Sequence, residues 1–203
     1  MIAIVDYGMG NLRNVQRAIE HAGAAGGVTS SVHDVRAAGF LVLPGVGAFG
    51  EAVRRIDHAG LREPIVAHVR AGKPLLGICL GMQLLFDASD ESPGAEGLGI
   101  IAGRVRSLPD RVKVPHIGWN DVVPSTSNPA LVETGVYYFV HSYAAEPVPE
   151  TIAVTEYGGP FCAAVRKGNV LGVQFHPEKS QEAGLALLKR CLEQMVRAGG
   201  GAI

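Results

Sequence analysis

The sequence predicts an α/β fold: an open, mixed and mostly parallel sheet with helices on both faces, followed by a β-rich extension. Three observations support this prediction. The first part of the chain alternates short apolar runs with amphipathic segments, which is typical of a parallel sheet covered on both faces. Gly and Pro residues cluster where those apolar runs end. After residue 92 the runs become short and β-rich and are separated by turn residues, which favours antiparallel pairing.

The order of elements in the first part follows from apolar periodicity and from turn residues. Asn11 is a plausible N-cap for the first helix, and Gly23 closes that helix. In chain order we predict a strand at 1–8, a helix at 11–23, strands at 26–30 and 40–45, helices at about 48–59 and 61–71, and a strand at 73–79 followed by a helix-like run.

The second part contains six β-rich runs and a final helix. The runs cover 98–108, 112–123, 135–143, 151–157, 161–168 and 170–175. The helix covers 181–198, and the glycine-rich tail at 199–203 is expected to fray. No internal repeat and no linker divides the chain, so we expect a single domain over residues 1–203.

Composition narrows the class of protein. The 203 residues are 47% hydrophobic and 18% charged, which excludes a disordered or fibrous chain. A net charge of −1 without a basic block argues against nucleic-acid binding. No apolar run approaches the roughly 20 residues of a membrane helix. The strand-like start favours a mature cytoplasmic protein over one with a signal peptide. Three scattered cysteines favour a reducing compartment, since they are too few for a disulfide framework.

The segment Gly45–Gly50 spells G-x-G-x-x-G after a strand, which is the pattern of dinucleotide-binding loops. Such loops require an acidic residue about 20 positions later, at the end of the next strand. The next strand ends at Cys79 instead, and Pro44 would stiffen the turn. We therefore interpret these glycines as a sharp backbone turn that leaves peptide N–H groups available.

Cys79 lies between Gly77 and Gly81 at a predicted strand-to-helix junction. This is the nucleophile-elbow pattern with cysteine in place of serine, in which small neighbours let the chain fold back sharply. The partial positive charge of a helix N-terminus favours a thiolate, and the N–H of Leu80 would point to a tetrahedral oxyanion. The alternative is a buried cysteine that packs as a small apolar residue.

His176 and Glu178 follow a predicted strand and are separated only by Pro177. A cysteine nucleophile requires a base, and the base requires a partner that fixes its tautomer, so the pair could complete a triad with Cys79. The alternative is a loop histidine beside a solvated glutamate. The remaining candidates are interpreted as surface histidines, namely His21, His33, His58 and His68, and as packing cysteines, namely Cys162 and Cys191; no cluster resembles a metal site.

The pattern G-x-C-x-G with "FHPE" downstream resembles the class I (triad) glutamine amidotransferases. Four stretches are similar, more narrowly, to the glutaminase subunits of imidazole glycerol phosphate synthase: "DYGMGNLRNV" at 6–15, "LPGVGAFG" at 43–50, "PHIGWN" at 115–120 and "YYFVHSY" at 137–143. The resemblance runs from Ile2 to the last helix. It implies a flavodoxin-like sheet and a glutaminase that uses no cofactor and no metal.

Carried over by position, the resemblance assigns Cys79 as nucleophile, His176 as general base and then acid, and Glu178 as the residue that orients His176. It implies an oxyanion hole formed by the Leu80 N–H and the backbone of Gly45, Val46 and Gly47, and it implies that the substrate L-glutamine is held by Gln83, Glu91, Ser142 and Tyr143.

The resemblance also implies a partner. This would be a (β/α)₈-barrel cyclase subunit that forms a heterodimer with the chain, receives ammonia through its core and makes imidazole glycerol phosphate and aminoimidazole carboxamide ribonucleotide in histidine biosynthesis. Binding of the acceptor ribonucleotide to the cyclase would activate the glutaminase. Asn11, Trp119 and Tyr138 match docking positions, and Trp and Tyr are frequent at interface hot spots. The alternative for Trp119 is a core aromatic residue.

Three other functions fit parts of the pattern. Another triad amidotransferase subunit, serving anthranilate or pyridoxal phosphate synthesis, would use the same triad, and only "DYGMGNL" and "PHIGWN" count against it. An intact triad argues against a non-catalytic, partner-binding subunit. Gln83, one turn after the nucleophile, favours a small amide substrate over the peptide of a cysteine peptidase.

Overall fold

The computed structural model describes residues 1–125 and 131–198. Its strands are β1 (Ile2–Val5), β2 (Gly26–Thr29), β3 (Phe40–Gly45), β4 (Leu75–Cys79), β5 (Ala88–Ser89), β6 (Arg104–Ser107), β7 (His116–Pro124), β8 (Gly135–His141), β9 (Tyr143–Ala145), β10 (Thr151–Glu156), β11 (Pro160–Lys167) and β12 (Val170–Val173). Its helices are α1 (Leu12–His21), α2 (Val32–Ala37), α3 (Phe49–His58), α4 (Arg62–Arg70), α5 (Leu80–Gln83) and α6 (Gln181–Ala198), and a short 3₁₀ helix covers Pro177–Lys179. The predicted tail, 199–203, lies outside the described residues.

A nine-stranded mixed sheet has the order β2-β1-β3-β4-β12-β11-β10-β7-β8, and β5, β6 and β9 form a small second sheet. The first five strands of that order pair in parallel, and the pairing becomes antiparallel from β12 onward. The predicted α/β fold with a β-rich extension is thereby confirmed. Because Val173 pairs with Ile78, the segment after β12 lies beside the segment after β4.

Side chains alternate between the two faces of the sheet, as strand geometry requires. Ile2 and Ile4 belong to one hydrophobic core, and Ala3 and Val5 belong to the other. Helices α1 and α6 pack in the first core, whereas α2, α3 and α4 pack in the second. Helices therefore cover both faces, and the carboxyl ends of the parallel strands remain at one edge of the sheet.

Four local predictions were incomplete or wrong. Helix α2 was not predicted, because its six residues are too few to show a helical period. The run at 98–108 forms a strand only at Arg104–Ser107. Asn11 occupies the N-cap position of α1, but its side chain makes no capping hydrogen bond. His68 is 3% exposed rather than on the surface, since it lies on the inner face of α4 and its Nε2 is 2.9 Å from the Pro74 carbonyl oxygen.

Within 1–125 and 131–198, no helix combines the length and the apolar character needed to span a bilayer. Cys162 and Cys191 are buried among apolar residues, which agrees with their interpretation as packing residues.

Candidate active site

Cys79 ends β4 at a sharp turn into α5. Its φ of +54° lies in the left-handed region, which costs a non-glycine residue about 1–3 kcal/mol and persists only where the surroundings enforce it. A Cβ atom at Gly77 would lie 2.8 Å from the Gly81 carbonyl oxygen, and a Cβ atom at Gly81 would collide with the carbonyl oxygen of Leu43. Close backbone packing therefore requires both glycines, as the elbow pattern predicts.

The helix after Cys79 is shorter than the helix-like run suggested. Helix α5 has four residues, Leu80–Gln83, so its dipole is that of a single turn. The first N–H groups of a helix have no partner within the helix, and Leu80 is the first residue of α5. Its N–H is therefore a candidate hydrogen-bond donor next to the thiol.

His176 and Glu178 lie on the turn that follows β12. The Nδ1 atom of His176 is 2.7 Å from Oε1 of Glu178, and both side chains are 2% exposed. Since a carboxylate only accepts, Nδ1 carries a proton. The backbone N–H of His176 donates to the Tyr138 carbonyl oxygen, 2.9 Å away. The imidazole is thus fixed both in tautomer and in position.

The electrostatic surroundings of His176 favour its charged form. Burial by itself would lower the pKa of His176, but interactions with Cys79 and Glu178 outweigh burial and raise the pKa to about 10. A protonated imidazole at neutral pH can donate a proton to a leaving nitrogen. Its Nε2 is buried and, among the described residues, has no hydrogen-bond partner.

A cavity of about 450 Å³ lies beside the Cys79 thiol. It is lined by the predicted nucleophile, by predicted oxyanion residues and by all the predicted glutamine-binding residues, namely Cys79, Val46, Gly47, Leu80, Gln83, Glu91, Ser142 and Tyr143. Four residues that the sequence did not single out complete the lining, namely Pro115, Val140, His141 and Lys179. The structure therefore brings together residues that are spread from position 46 to position 179 of the chain.

The glycine-rich segment 45–47 runs alongside the nucleophile. Gly45 pairs with Cys79 across β3 and β4, and a Cβ atom at Gly45 would lie 3.0 Å from the Leu80 Cβ. Gly47 has a φ of +102°, a conformation that only glycine adopts without strain. The Val46 side chain is 41% exposed. Gly45 and the G-x-G turn thus lie beside the end of β4 that carries the thiol.

Two predicted glutamine-binding residues already make hydrogen bonds within the protein. The Nε2 group of Gln83 donates to the Tyr143 carbonyl oxygen at 2.8 Å and to Oε1 of Gln174 at 3.0 Å. Oε2 of Glu91 accepts from the Phe49 N–H, at the first residue of α3, at 2.7 Å. Glu91 therefore also binds the N-terminus of α3, the helix that follows the segment 45–47 (the predicted oxyanion segment).

The buried pair His116 and His141 was quoted in the sequence motifs without a role. Nδ1 of His141 is 2.9 Å from the Tyr143 carbonyl oxygen and must donate to it, so Nε2 of His141 accepts from Nδ1 of His116 at 3.1 Å. Burial, together with His116 nearby, lowers the pKa of His141 to about 3. A neutral, fixed imidazole therefore forms part of the cavity wall.

The predicted docking residues lie near the turn after β12 that carries His176 and Glu178 (the catalytic turn). Trp119 and Tyr138 are cross-strand partners with ring centroids 5.9 Å apart, and Trp119 is 48% exposed, which rules out a core position. Asn11 is exposed and precedes α1, a helix that contacts the 3₁₀ helix carrying Glu178. Lys179, which no motif suggested, places its Nζ 5.6 Å from the centroid of the Tyr138 ring.

Comparison with known proteins agrees with this geometry. Residues 3–195 match the family model of class-I glutamine amidotransferases. The chain is 50% identical to imidazole glycerol phosphate synthase subunit HisH of Rhodopirellula baltica, with 94% of this chain and 96% of that protein covered. It is 48% identical to the subunit HisH of Methanothermobacter thermautotrophicus, with 98% and 100% covered.

A solved glutamine amidotransferase superposes on the structure with a TM-score of 0.78 at 19% identity, covering 99% of this chain and 100% of that one, which shows the shared fold. Taken together, the family match and the near-full-length identity of 48–50% show that the chain belongs to the class-I glutamine amidotransferases and, within them, to the family of imidazole glycerol phosphate synthase subunits HisH.

Proposed function

We propose that the chain hydrolyses L-glutamine to glutamate and ammonia, and that it does so as the glutaminase subunit of imidazole glycerol phosphate synthase. The observation that carries this proposal is the cavity in which Cys79, the segment 46–47 and the predicted glutamine-binding residues meet. Family membership supports the same activity.

The first half of the reaction is acyl transfer to Cys79. The thiolate attacks the side-chain amide carbon of glutamine, a C–S bond forms, and the amide oxygen becomes an oxyanion. The N–H groups of Leu80 and of the segment 45–47 would stabilise that charge, and one such donor contributes about 10²–10³ in rate. The protonated His176 then gives its proton to the nitrogen, the C–N bond breaks, and ammonia leaves.

The second half of the reaction regenerates the enzyme. His176, now neutral, takes a proton from water, and the resulting hydroxide attacks the γ-glutamyl thioester. The C–S bond breaks, glutamate leaves, and the sulfur departs as a thiolate. Glu178 keeps Nδ1 protonated throughout, so Nε2 is the nitrogen that exchanges the proton.

Gln83 has a defined part in substrate binding under this proposal. Its N–H groups are committed to the Tyr143 carbonyl oxygen and to Gln174, so its Oε1 is the atom left to accept from a bound ligand. Glutamine carries an α-ammonium and a side-chain amide, and both are donors. A small, doubly polar substrate of this kind suits a cavity of about 450 Å³ better than a peptide does.

We propose further that this chain forms a cytoplasmic heterodimer with a (β/α)₈-barrel cyclase subunit. Four apolar side chains are exposed on the outer face of β7 and β8, namely Ile117, Trp119, Val123 and Val136. Large apolar side chains exposed on one face, here around the exposed Asp121, are typical of a protein–protein interface. Asn11 directly precedes α1 and Tyr138 lies on β8, and both of these elements contact the 3₁₀ helix next to His176. The His176 N–H also donates to the Tyr138 carbonyl oxygen, so a partner docked there could influence His176.

Glutamate release measured under three conditions tests this function. The purified chain alone should hydrolyse glutamine very slowly, and addition of the cyclase together with its acceptor ribonucleotide should raise the rate at least about 10²-fold, the contribution of one oxyanion donor. Full activity of the isolated chain would refute activation by the partner. No glutamate release under all three conditions (chain, chain with cyclase, and both with acceptor) would refute the glutaminase itself.

A further inference from the structure

We propose that Gln174 is a further catalytic residue, whose side-chain amide donates a hydrogen bond to the sulfur of Cys79. This inference rests on the glutaminase function proposed above. Nε2 of Gln174 lies 3.7 Å from Sγ of Cys79, within the range of an N–H···S hydrogen bond. Gln174 is fully buried at the end of an otherwise apolar strand run, 170–175. Both ends of a buried amide require partners, since burial of an unpaired polar group is unfavourable.

The orientation of the Gln174 amide follows from its neighbours. The carbonyl oxygen of Tyr143 can only accept, so Gln83 must turn its NH₂ group toward it. The same NH₂ group faces the Gln174 side chain, which must therefore present its oxygen to Gln83. Consequently the Gln174 NH₂ group is the end that faces the thiol. One backbone carbonyl thus sets the orientation of both amides.

A second contact holds that carbonyl oxygen in place. Nδ1 of His141 also donates to the Tyr143 oxygen, and His141 in turn accepts from His116. All the side chains of this series are buried. Reversing Gln83 would leave its oxygen facing two acceptors, and reversing Gln174 would leave its NH₂ group facing the NH₂ group of Gln83. The N–H that points at Cys79 is therefore preorganised rather than recruited by substrate.

The expected effect is on the charge and direction of the nucleophile. A donor to sulfur stabilises the thiolate relative to the thiol. The carbonyl oxygen of Val140, 3.9 Å from Sγ, can accept only from the protonated thiol. Loss of the Gln174 donor would leave the Val140 carbonyl oxygen, which favours the protonated thiol, so the thiolate would be less stable. A hydrogen bond to a charged group is worth roughly 10–100-fold in rate.

The substitution Gln174→Glu tests the proposal. It preserves the size of the side chain and an oxygen that accepts from Gln83, but it replaces the donor by a negative oxygen next to sulfur. The matched control is Gln16→Glu, because Nε2 of Gln16 donates to the Gly26 carbonyl oxygen, 3.1 Å away in another part of the fold. The rate of alkylation of Cys79 by iodoacetamide is measured against pH in the full chain, with peptide mapping to separate the cysteines.

In Gln174→Glu the midpoint of that pH profile should rise by about one pH unit or more, and kcat for glutamate release with the partner should fall at least 10-fold while KM changes less than threefold. Gln16→Glu should match the wild type in both measurements. A purely structural amide would instead alter folding or KM, and an uncharged substitution that removes it would leave the alkylation profile unchanged.

A second variant covers the case in which a buried carboxylate prevents folding. Gln174→Met preserves volume, adds no charge and removes the donor, so its alkylation midpoint should also rise, by a smaller amount. A folded variant of either kind with the wild-type profile would overturn the proposal. Failure of the wild type to hydrolyse glutamine would instead refute the proposed function, and the alkylation profile would still report on the contact between Gln174 and Cys79.

Discussion

Cys79 adopts a backbone conformation that non-glycine residues rarely adopt, and its surroundings explain why it persists. Gly77 and Gly81 admit the close approach of neighbouring backbone, and the pairing of Gly45 with Cys79 brings the oxyanion segment to the thiol. The pairing of Gly45 with Cys79 joins separate strands, and the resemblance alone implied that segment 45–47 serves the thiol. The two glycines around Cys79 are local features of the chain, so the sequence predicted the turn. His176 and Glu178 were predicted for the same reason, since their spacing alone places them on one turn.

Gln174 and His141 were not predicted, because their roles depend on long-range contacts. Gln174 is paired with Gln83 across 91 positions of the chain, and nothing within a local window indicates that partner. A glutamine in an apolar strand run was the available signal. The burial of His68 was misjudged for a different reason: its acceptor, the Pro74 carbonyl oxygen, is only six positions away, but the sequence does not show which face of α4 packs inward.

The buried His141 gives the protein a dependence of stability on pH. Its pKa is lowered to about 3 in the folded protein and is ordinary, about 6.5, in the unfolded chain. Above pH 6.5 both states are neutral. As pH falls from 6.5 toward 3, only the unfolded chain binds the proton, so the free energy of unfolding should fall by up to about 1.4 kcal/mol per pH unit.

Urea denaturation at a series of pH values checks this prediction. His141→Asn should be less stable at pH 7 but should lose less stability than the wild type between pH 6.5 and pH 4. Equal slopes for the two proteins would show that His141 does not remain neutral when folded.

Among the elements, the catalytic turn is tied to β8 through Ser180. The Ser180 hydroxyl donates to the His176 carbonyl oxygen at 2.6 Å and accepts from the Tyr138 N–H at 3.0 Å. The position of the 3₁₀ helix that carries Glu178 therefore depends on the strand that presents Tyr138. The long strands of this region were predicted, whereas α2, with six residues, is too short for periodicity to show. Helix α5 begins where a helix-like run was predicted but has only four residues.

Removal of this tie should affect both stability and rate. Ser180→Ala leaves the part-buried Tyr138 N–H without this acceptor and leaves the His176 carbonyl oxygen with the Lys179 N–H as its donor. We expect the loss to cost about 1 kcal/mol of unfolding free energy. Because His176 would be held less firmly, kcat should fall more than KM rises. The same substitution at Ser125, whose hydroxyl donates to the Thr151 carbonyl oxygen away from the cavity, serves as control. A fall in stability with unchanged kcat would show that the tie is structural only.

At the scale of the whole molecule, the sheet carries both the candidate active site, at its carboxyl edge, and the exposed face of β7 and β8. The two cores that flank the sheet set the positions of β4 and β12, and these strands place Cys79 and His176 at its carboxyl edge. The outer face of β7 and β8 exposes four large apolar side chains around Asp121. The fold class was predictable because it depends on the order of elements. The partner was indicated only by the family resemblance, since no local pattern encodes which protein covers an exposed face.

The central claim is that this chain supplies ammonia and its partner consumes it. Synthesis of imidazole glycerol phosphate by the complex of Cys79→Ser with the cyclase, measured once with glutamine and once with an ammonium salt, tests that claim most directly. We predict that the glutamine-driven rate falls by at least about 10³-fold, because a serine hydroxyl is a far weaker nucleophile than a cysteine thiolate. The ammonium-driven rate should be unchanged. Loss of both rates, or retention of the glutamine-driven rate, would contradict it.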